Sequence, residues 1–259
     1  MEKLGAGNKK IKQIQSWQRS AKDRREAGIF IVEGTKMYKE APSEWIKEVY
    51  FTQKVLAELG EPGNVPCYLV EDSVFEKISD TQTPQGVLTV LRRPEYDIDK
   101  IITGNTGDEA QLLLLLENIQ DPGNLGTILR VGEAAGVTGI IMTKGTVDIF
   151  NPKVVRSTMG SIYRMPFAFT EDVCETINRM KKAGVTTYAA HLHGSEVYTE
   201  YDYSKPTVFM IGNEGNGLTD AATEMADKRL LIPMEGSVES LNAGIATAVL
   251  IYEAHRQRA

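Results

Sequence analysis

Three clusters of polar residues and glycines stand where apolar runs end. The first, Asn124-x-Gly126-x-x-x-Arg130, follows Leu112–Leu116 after a polar turn from Glu117 to Pro122 and Gly123. The second, Gly212-Asn213-Glu214-Gly215-Asn216-Gly217, follows the run Thr207–Ile211 directly. The third places Ser240 and Asn242 behind the run Leu230–Ile232, which Pro233 ends. Arg130 carries a charge that does not titrate. Gly126, four residues earlier, shares its helix face and offers no side chain, which leaves room above Arg130 for a ligand. The residues alone favour a plain Arg130–Glu133 surface pair at i, i+3, worth about 0.3–0.5 kcal/mol.

Glycines directly after a strand let backbone amides and carbonyls approach a ligand. The second cluster reads G-x-x-G-x-G, not G-x-G-x-x-G. No acidic residue stands about 20 residues on, at the end of a following strand. A standard dinucleotide site is therefore disfavoured, and with it a nucleotide-dependent oxidoreductase. Adenine recognition by backbone groups, without a dedicated phosphate loop, fits the glycines better.

The elements that must hold these clusters alternate. Apolar runs at Leu112–Leu116, Gly139–Met142, Thr186–Leu192, Thr207–Ile211 and Leu230–Ile232 read as strands. Helices are expected from an Asn124 cap to Ala135, at Pro152–Met159 and Glu171–Ala183, and from a Thr219 cap to Ala226. In the last helix Ser240 reads as the N-cap, and Leu241, Ile245, Val249 and Tyr252 predict one buried stripe. Gly244 costs about 1 kcal/mol against Ala inside a helix, so a packing reason is expected. This alternation predicts a mostly parallel sheet with helices on both faces.

The first ninety residues alternate on a smaller scale. Ile11–Glu26 reads as one helix. Strands are expected at Ile29–Val32, Ile46–Phe51, Pro66–Val70 and Val87–Leu91, with helices at Thr35–Glu40, Val55–Leu59 and Ser73–Ile78. Residues 94–110, with few apolar side chains and with Gly104 and Gly107, read as a linker. The expected division is therefore 1–93, a linker 94–110, and 111–259.

Composition is that of an ordinary globular protein, 42% hydrophobic and 25% charged over 259 residues. No apolar run reaches the roughly 18 residues of a membrane span. Met1 precedes polar residues and glycine, not a signal-peptide core. Cys67 and Cys174 lie far apart, and His191, His193 and His255 are scattered, so no metal is expected. A cytoplasmic protein is the default reading. The net charge is −6, yet the segment to Arg25 carries Lys3, Lys9, Lys10, Lys12, Arg19, Lys22, Arg24 and Arg25 against Glu2 and Asp23. That basic face suits local phosphate binding, or is simply a solvated helix face.

The three clusters, in this order and spacing, resemble the three signature motifs of the SpoU–TrmH family of RNA ribose 2′-O-methyltransferases, in the SPOUT superfamily. The third motif is matched by Ile232-Pro233-Met234-x-Gly236-x-x-x-Ser240-Leu241-Asn242. A local departure is Ala243-Gly244, where family members more often carry Val followed by Ser or Ala. The runs Phe30–Gly34 and Ser79–Val87 resemble the substrate-binding domain often fused to this family, a small ribosomal-protein-like α/β fold.

The resemblance implies an α/β SPOUT domain with a deep C-terminal trefoil knot, S-adenosylmethionine as cofactor, and a homodimer with its active sites at the subunit interface. It implies catalytic roles for Arg130, Asn124, Glu214, Ser240 and Asn242, and a cofactor wall of Gly212, Ile232, Met234 and Leu241. Lys9, Lys10, Arg19, Lys22, Arg24, Arg25, Lys153 and Arg156 are the candidate RNA contacts. The fused N-terminal domain favours ribosomal RNA over tRNA. A tRNA enzyme or a non-catalytic RNA-binding protein of the same fold are the alternatives.

Overall fold

The computed structural model describes residues 1–104, 110–192 and 196–259. Residues 105–109 of the expected linker, and His193, lie outside the described residues. The chain forms two compact units, one of Met1–Pro94 with Asp148–Tyr163 and one of Glu95–Val147 with Arg164–Ala259.

The first unit begins with β1 (Glu2–Leu4), α1 (Lys9–Arg19), α2 (Ala21–Ala27), β2 (Ile29–Glu33) and α3 (Thr35–Glu40). It continues through β3 (Ile46–Phe51), α4 (Gln53–Leu59), β4 (Cys67–Val70), α5 (Asp72–Ile78) and β5 (Val87–Arg92). Its mixed sheet runs β1-β4-β3-β5-β2. The single helix expected over Ile11–Glu26 is two helices. Ser20 is extended (φ −114°, ψ 112°), and its Oγ accepts from the Asp23 N–H at 3.1 Å. A serine hydroxyl offers the backbone an alternative to continuing the helix. The break turns Arg24 inward, 2% exposed. Its guanidinium donates to Trp17 O and to Asp148 Oδ2, each at 2.6 Å.

The second unit opens with α6 (Ile98–Thr103), inside the expected linker. Asp97 caps it, and Ile101 and Ile102 are buried. Its three apolar residues, Ile98, Ile101 and Ile102, span little more than one turn, too short a stretch for a visible period. Next come β6 (Leu112–Leu116), α7 (Pro122–Ala134) and β7 (Gly139–Thr143). At Asp148 the chain joins the first unit and forms α8 (Pro152–Ser157) there. Phe150 lies 4.8 Å from Phe30, centroid to centroid, and Tyr163 Oη donates to Met37 O at 2.9 Å. The stretch 111–259 thus divides between the two units.

The second unit resumes with β8 (Phe167–Thr170), α9 (Val173–Lys182), β9 (Thr186–Ala190), β10 (Glu196–Val197) and β11 (Thr207–Ile211). It closes with α10 (Asp220–Met225), β12 (Lys228–Leu231) and α11 (Ala243–Arg258). The sheet runs β10-β12-β9-β11-β6-β7-β8, parallel at every pairing. Leu113 and Leu115 of β6 pack with Ile102, Ile177 and Ala222 of α6, α9 and α10. Leu112, Leu114 and Leu116 point the other way and are buried too. The chain runs β6-β7-β8 to one side and places β11, β9, β12 and β10 on the other. The carboxyl ends of β6 and β11 therefore mark a switch point, where open α/β sheets bind ligands.

Three local expectations change here. Asp121, not Asn124, caps α7, with Oδ1 accepting from the Asn124 N–H at 2.8 Å. Asn242, not Ser240, caps α11. The face of α11 that is buried carries Ala243, Gly244, Thr247, Leu250, Ile251 and Ala254. Ile245 and Tyr252 of the expected buried stripe are 50% and 48% exposed.

Candidate active site

The site is built from the loop after β11, which is fastened at both ends. The Glu117 N–H, at the end of β6, donates to Ile211 O at 2.8 Å. The Glu117 carboxylate, 3% exposed, accepts from the Thr219 N–H at 2.8 Å and from Thr219 Oγ at 2.9 Å. Between these anchors Asn213 and Gly217 exchange two backbone hydrogen bonds at 2.9 Å. Gly217 sits at φ +69°, where a side chain is strained. Asn213 Oδ1 accepts from the Gly215 and Asn216 N–H groups, and its amide donates to Asn118 O at 2.9 Å. Asn118 is itself left-handed, φ 57°, and its N–H donates to Thr143 Oγ at 2.9 Å.

A Cβ at Gly212 would strike the backbone of Gly217 and Leu218. Gly212 is not among the left-handed glycines. The loop closure itself therefore demands this glycine. Gly212 also lines the cavity described below, to which it offers backbone groups.

Glu214 reaches across to α7. Its Oε2 accepts from the Gln120 N–H and its Oε1 from the Asp121 N–H, both at 3.1 Å. Asn124 Nδ2 donates to Oε1 at 2.9 Å. A carboxylate at the first turn of α7 also favours the helix dipole. What burial Glu214 has pushes its pKa up. The Asn124 amide and the N–H groups of Glu214, Asp121 and Gln120 outweigh it and hold the carboxyl below its usual value. Glu214 is thus a fixed anion and an acceptor, not a proton shuttle near neutral pH.

Asn124 passes the connection on. Its Oδ1 accepts from Asn242 Nδ2 at 2.7 Å. Asn242 Oδ1 in turn accepts from the Gly244 N–H at 3.0 Å and the Ile245 N–H at 3.3 Å. All three sequence motifs therefore meet in one chain, Glu214–Asn124–Asn242–α11. The helices press together beside it: a Cβ at Gly244 would lie 3.1 Å from Thr127 Cγ2. That is the packing reason expected for Gly244.

A cavity of about 320 Å³ opens on this frame. Its size lies in the range of small-molecule sites, roughly 300–1,000 Å³. Gly212, Ile232, Met234 and Leu241, the expected cofactor residues, all line it, as do Glu214 and Ser240. Asn124 and Asn242 do not line it, but Asn124 bonds Glu214, which does. Arg130 does not line it. Arg130 is exposed on α7 and has no ion pair or hydrogen bond among the described residues. Its expected alternative partner, Glu133, instead accepts from Arg164 Nε at 2.7 Å.

The candidate RNA contacts separate by exposure. Lys9, Arg19, Lys22, Arg25 and Lys153 are exposed. Arg24 is buried against Asp148 and is withdrawn as a phosphate contact. Lys10 is held by Glu48 at 2.6 Å over the Tyr68 ring, and Arg156 by Asp80 at 2.9 Å. Glu117, Asn118, Asp121 and Asn213 were missed as site residues. The only signal for them was the polar turn after β6 and the repeated Asn-Gly pattern after β11.

An all-parallel α/β unit whose glycine-rich loop frames a cavity at the strand carboxyl ends is a ligand-binding architecture. The chain belongs to the SpoU rRNA Methylase family, whose model matches residues 111–252. Residues 8–89 match the MRM3-like substrate binding domain. The chain is 32% identical over 247 residues to the 23S rRNA (guanosine(2553)-2′-O)-methyltransferase RlmP of Bacillus subtilis, covering 94% of this chain and 96% of that protein. It is similar to the AdoMet-bound rRNA methyltransferase from Sinorhizobium meliloti, with TM-score 0.87, 32% identity, and 99% and 97% of the two chains covered. It is also similar to the methyltransferase AviRb of Streptomyces viridochromogenes in complex with AdoMet, with TM-score 0.86, 28% identity, and 97% and 98% covered.

Proposed function

We propose that this chain is an S-adenosylmethionine-dependent methyltransferase that modifies a ribose 2′-hydroxyl of ribosomal RNA. The observation that carries this reading is the cavity framed by the loop after β11 and the segment before α11, with Glu214, Asn124 and Asn242 joined to one another. The ribosomal substrate rests on the Bacillus relative, whose name gives 23S rRNA.

The cavity fits the cofactor. Ile232, Met234 and Leu241 offer apolar sides to an adenine, while the backbone around Gly212 offers polar edges without side chains in the way. When bound, S-adenosylmethionine supplies a methyl group on a sulfonium. Arg130 acts on the ribose: its guanidinium lowers the pKa of the 2′-hydroxyl and stabilises the oxygen as charge develops. It does not take the proton, because guanidinium stays protonated; the proton passes to water. Glu214, Asn124 and Asn242 fix the start of α7 and so the helix that carries Arg130. Ser240, on the cavity wall, orients the ribose.

The acting species is a homodimer. The monomer leaves Ile245 and Tyr252 exposed on α11 with half-buried Val249 between them, and a second copy covers this stripe. The C-terminal segment is knotted, a reading supported by its course from β12 back to α7 and β11. Residues 1–93 bind RNA and 111–259 carry the methyltransferase activity, in the cytoplasm; of the stretch 94–110 between them, α6 packs into the second unit. No helix among the described residues is long and apolar enough to cross a membrane.

The test is transfer of labelled methyl from S-adenosylmethionine to deproteinised large-subunit ribosomal RNA, with nuclease digestion to identify 2′-O-methylnucleosides. Label in ribose supports the reading. Label only in bases, or none, with the cofactor bound, overturns it.

A further inference from the structure

The cavity beside the loop after β11 carries charge of one sign. The acidic side chains that line it are Glu214 and Glu239, and no lysine or arginine is among the lining residues. His191 is the remaining titratable side chain there. The two carboxylates stand in different surroundings. Glu214 accepts from Asn124 Nδ2 at 2.9 Å and from the Gln120 and Asp121 N–H groups. The first turn of α7 offsets part of its charge. Glu239 lies between β12 and α11, exposed, with no hydrogen bond or ion pair among the described residues.

Ala243, the first residue of α11, also lines the cavity, so the positive end of that helix borders the same space. A helix terminus is worth roughly half an elementary charge. Two carboxylates against two such termini leave about one negative charge on the wall. Leu230, Ile232 and Leu241 line it as well, and apolar walls focus the field of a one-signed cleft. The cofactor and its spent form differ in charge by the same amount. Transfer breaks the C–S bond, leaves its electron pair on sulfur and turns the sulfonium into a neutral thioether. The methyl goes to the ribose oxygen.

We propose that Glu239 tunes the cavity by charge: its carboxylate favours the sulfonium of S-adenosylmethionine over the neutral thioether of S-adenosylhomocysteine and so promotes exchange of the spent cofactor. Glu239 is a specificity-determining residue. It acts through its field and takes no part in making or breaking bonds. Glu214 adds to that field, but it also holds the start of α7, so only Glu239 separates charge from architecture. Discrimination between two ligands is a difference of affinities, and an unpaired charge supplies it where their shapes differ by one methyl group. This inference deepens the proposed function, since it rests on S-adenosylmethionine being the cofactor.

The experiment is calorimetric titration of the full chain with S-adenosylmethionine, S-adenosylhomocysteine and sinefungin, which carries a protonated amine in place of the methylsulfonium. Glu239→Gln should weaken the two cationic ligands by about 1.5- to 5-fold, the range of an exposed charge pair, and leave S-adenosylhomocysteine unchanged. Glu239→Lys should move the ratio further the same way. Added salt should weaken S-adenosylmethionine more in the wild type than in Glu239→Gln. Glu235→Gln, exposed on the same segment but outside the cavity lining, should match the wild type. The methyl group differs between the ligands equally in every variant, so the change in ratio reads charge alone. Equal weakening of all three ligands, or a ratio unchanged in both Glu239 variants, overturns the proposal. A wild type that binds none of the three instead overturns the proposed function.

Discussion

Asn242 Nδ2 donates to Asn124 Oδ1 across 2.7 Å, although the two residues lie 118 positions apart. Asn242 has a second task as the cap of α11. The two tasks separate by substitution. Asn242→Ala loses both, and the cap alone costs about 0.5–2 kcal/mol. Asn242→Asp keeps an oxygen for the cap but sets a carboxylate against Asn124 Oδ1. The aspartate variant should melt close to wild type and lose methyl transfer. Transfer at the wild-type rate would show that the Asn–Asn contact does not matter.

Gly212→Val should damage folding and cofactor binding together, because the new side chain enters the backbone of Gly217 and Leu218. Calorimetric titration with S-adenosylmethionine and a thermal melt of one sample check it. A melt at the wild-type temperature with binding lost would return the glycine to a ligand-only role.

Glu214 sets a pH expectation. Its carboxyl lies below the usual glutamate value in the fold, near 4.3 when unperturbed. Its contribution is therefore present above the unfolded value and lost as pH falls through the folded one. Cofactor affinity should show no step from Glu214 above about pH 5. A carboxyl ¹³C resonance of Glu214 that titrates near neutrality would contradict the assigned acceptor role.

Deleting Met1–Arg93 should not leave a clean catalytic core. Phe150 and Tyr163 pack on Phe30, and Asp148 would lose Arg24. The truncated chain should melt well below the full chain or aggregate. An equal melt would show that residues 148–163 need no such cover.

Much of the frame was legible because apolar runs ended sharply at glycine, proline or polar turns. Leu112–Leu116, Thr207–Ile211, Thr35–Glu40 and the Thr219 cap stand where the sequence predicts them. What escaped depends on partners far along the chain. Arg24 looks like a surface cation until Asp148, 124 residues on, takes it inward. Glu117 looks like a turn residue until Thr219 closes on it. The stripe on α11 has the period of a buried face. Periodicity does not say whether the same chain or a second copy covers it. Among the catalytic candidates, Glu214, Asn124 and Asn242 are bonded together, whereas Arg130 stands apart from the cavity. Its role rests on the motif and on its free charge.

The most direct measurement is mass-spectrometric mapping of ribose methylation in RNA from a strain lacking this protein, complemented with the wild type or with Arg130→Ala. The deletion should lose one 2′-O-methylation in ribosomal RNA, and the wild type should restore it. Arg130→Ala should fail to restore it, with purified transfer down by about 10²–10³-fold or more. Its cofactor affinity should stay within about tenfold, roughly 1.4 kcal/mol. A methylation pattern unchanged by the deletion, or restored fully by Arg130→Ala, would contradict the account.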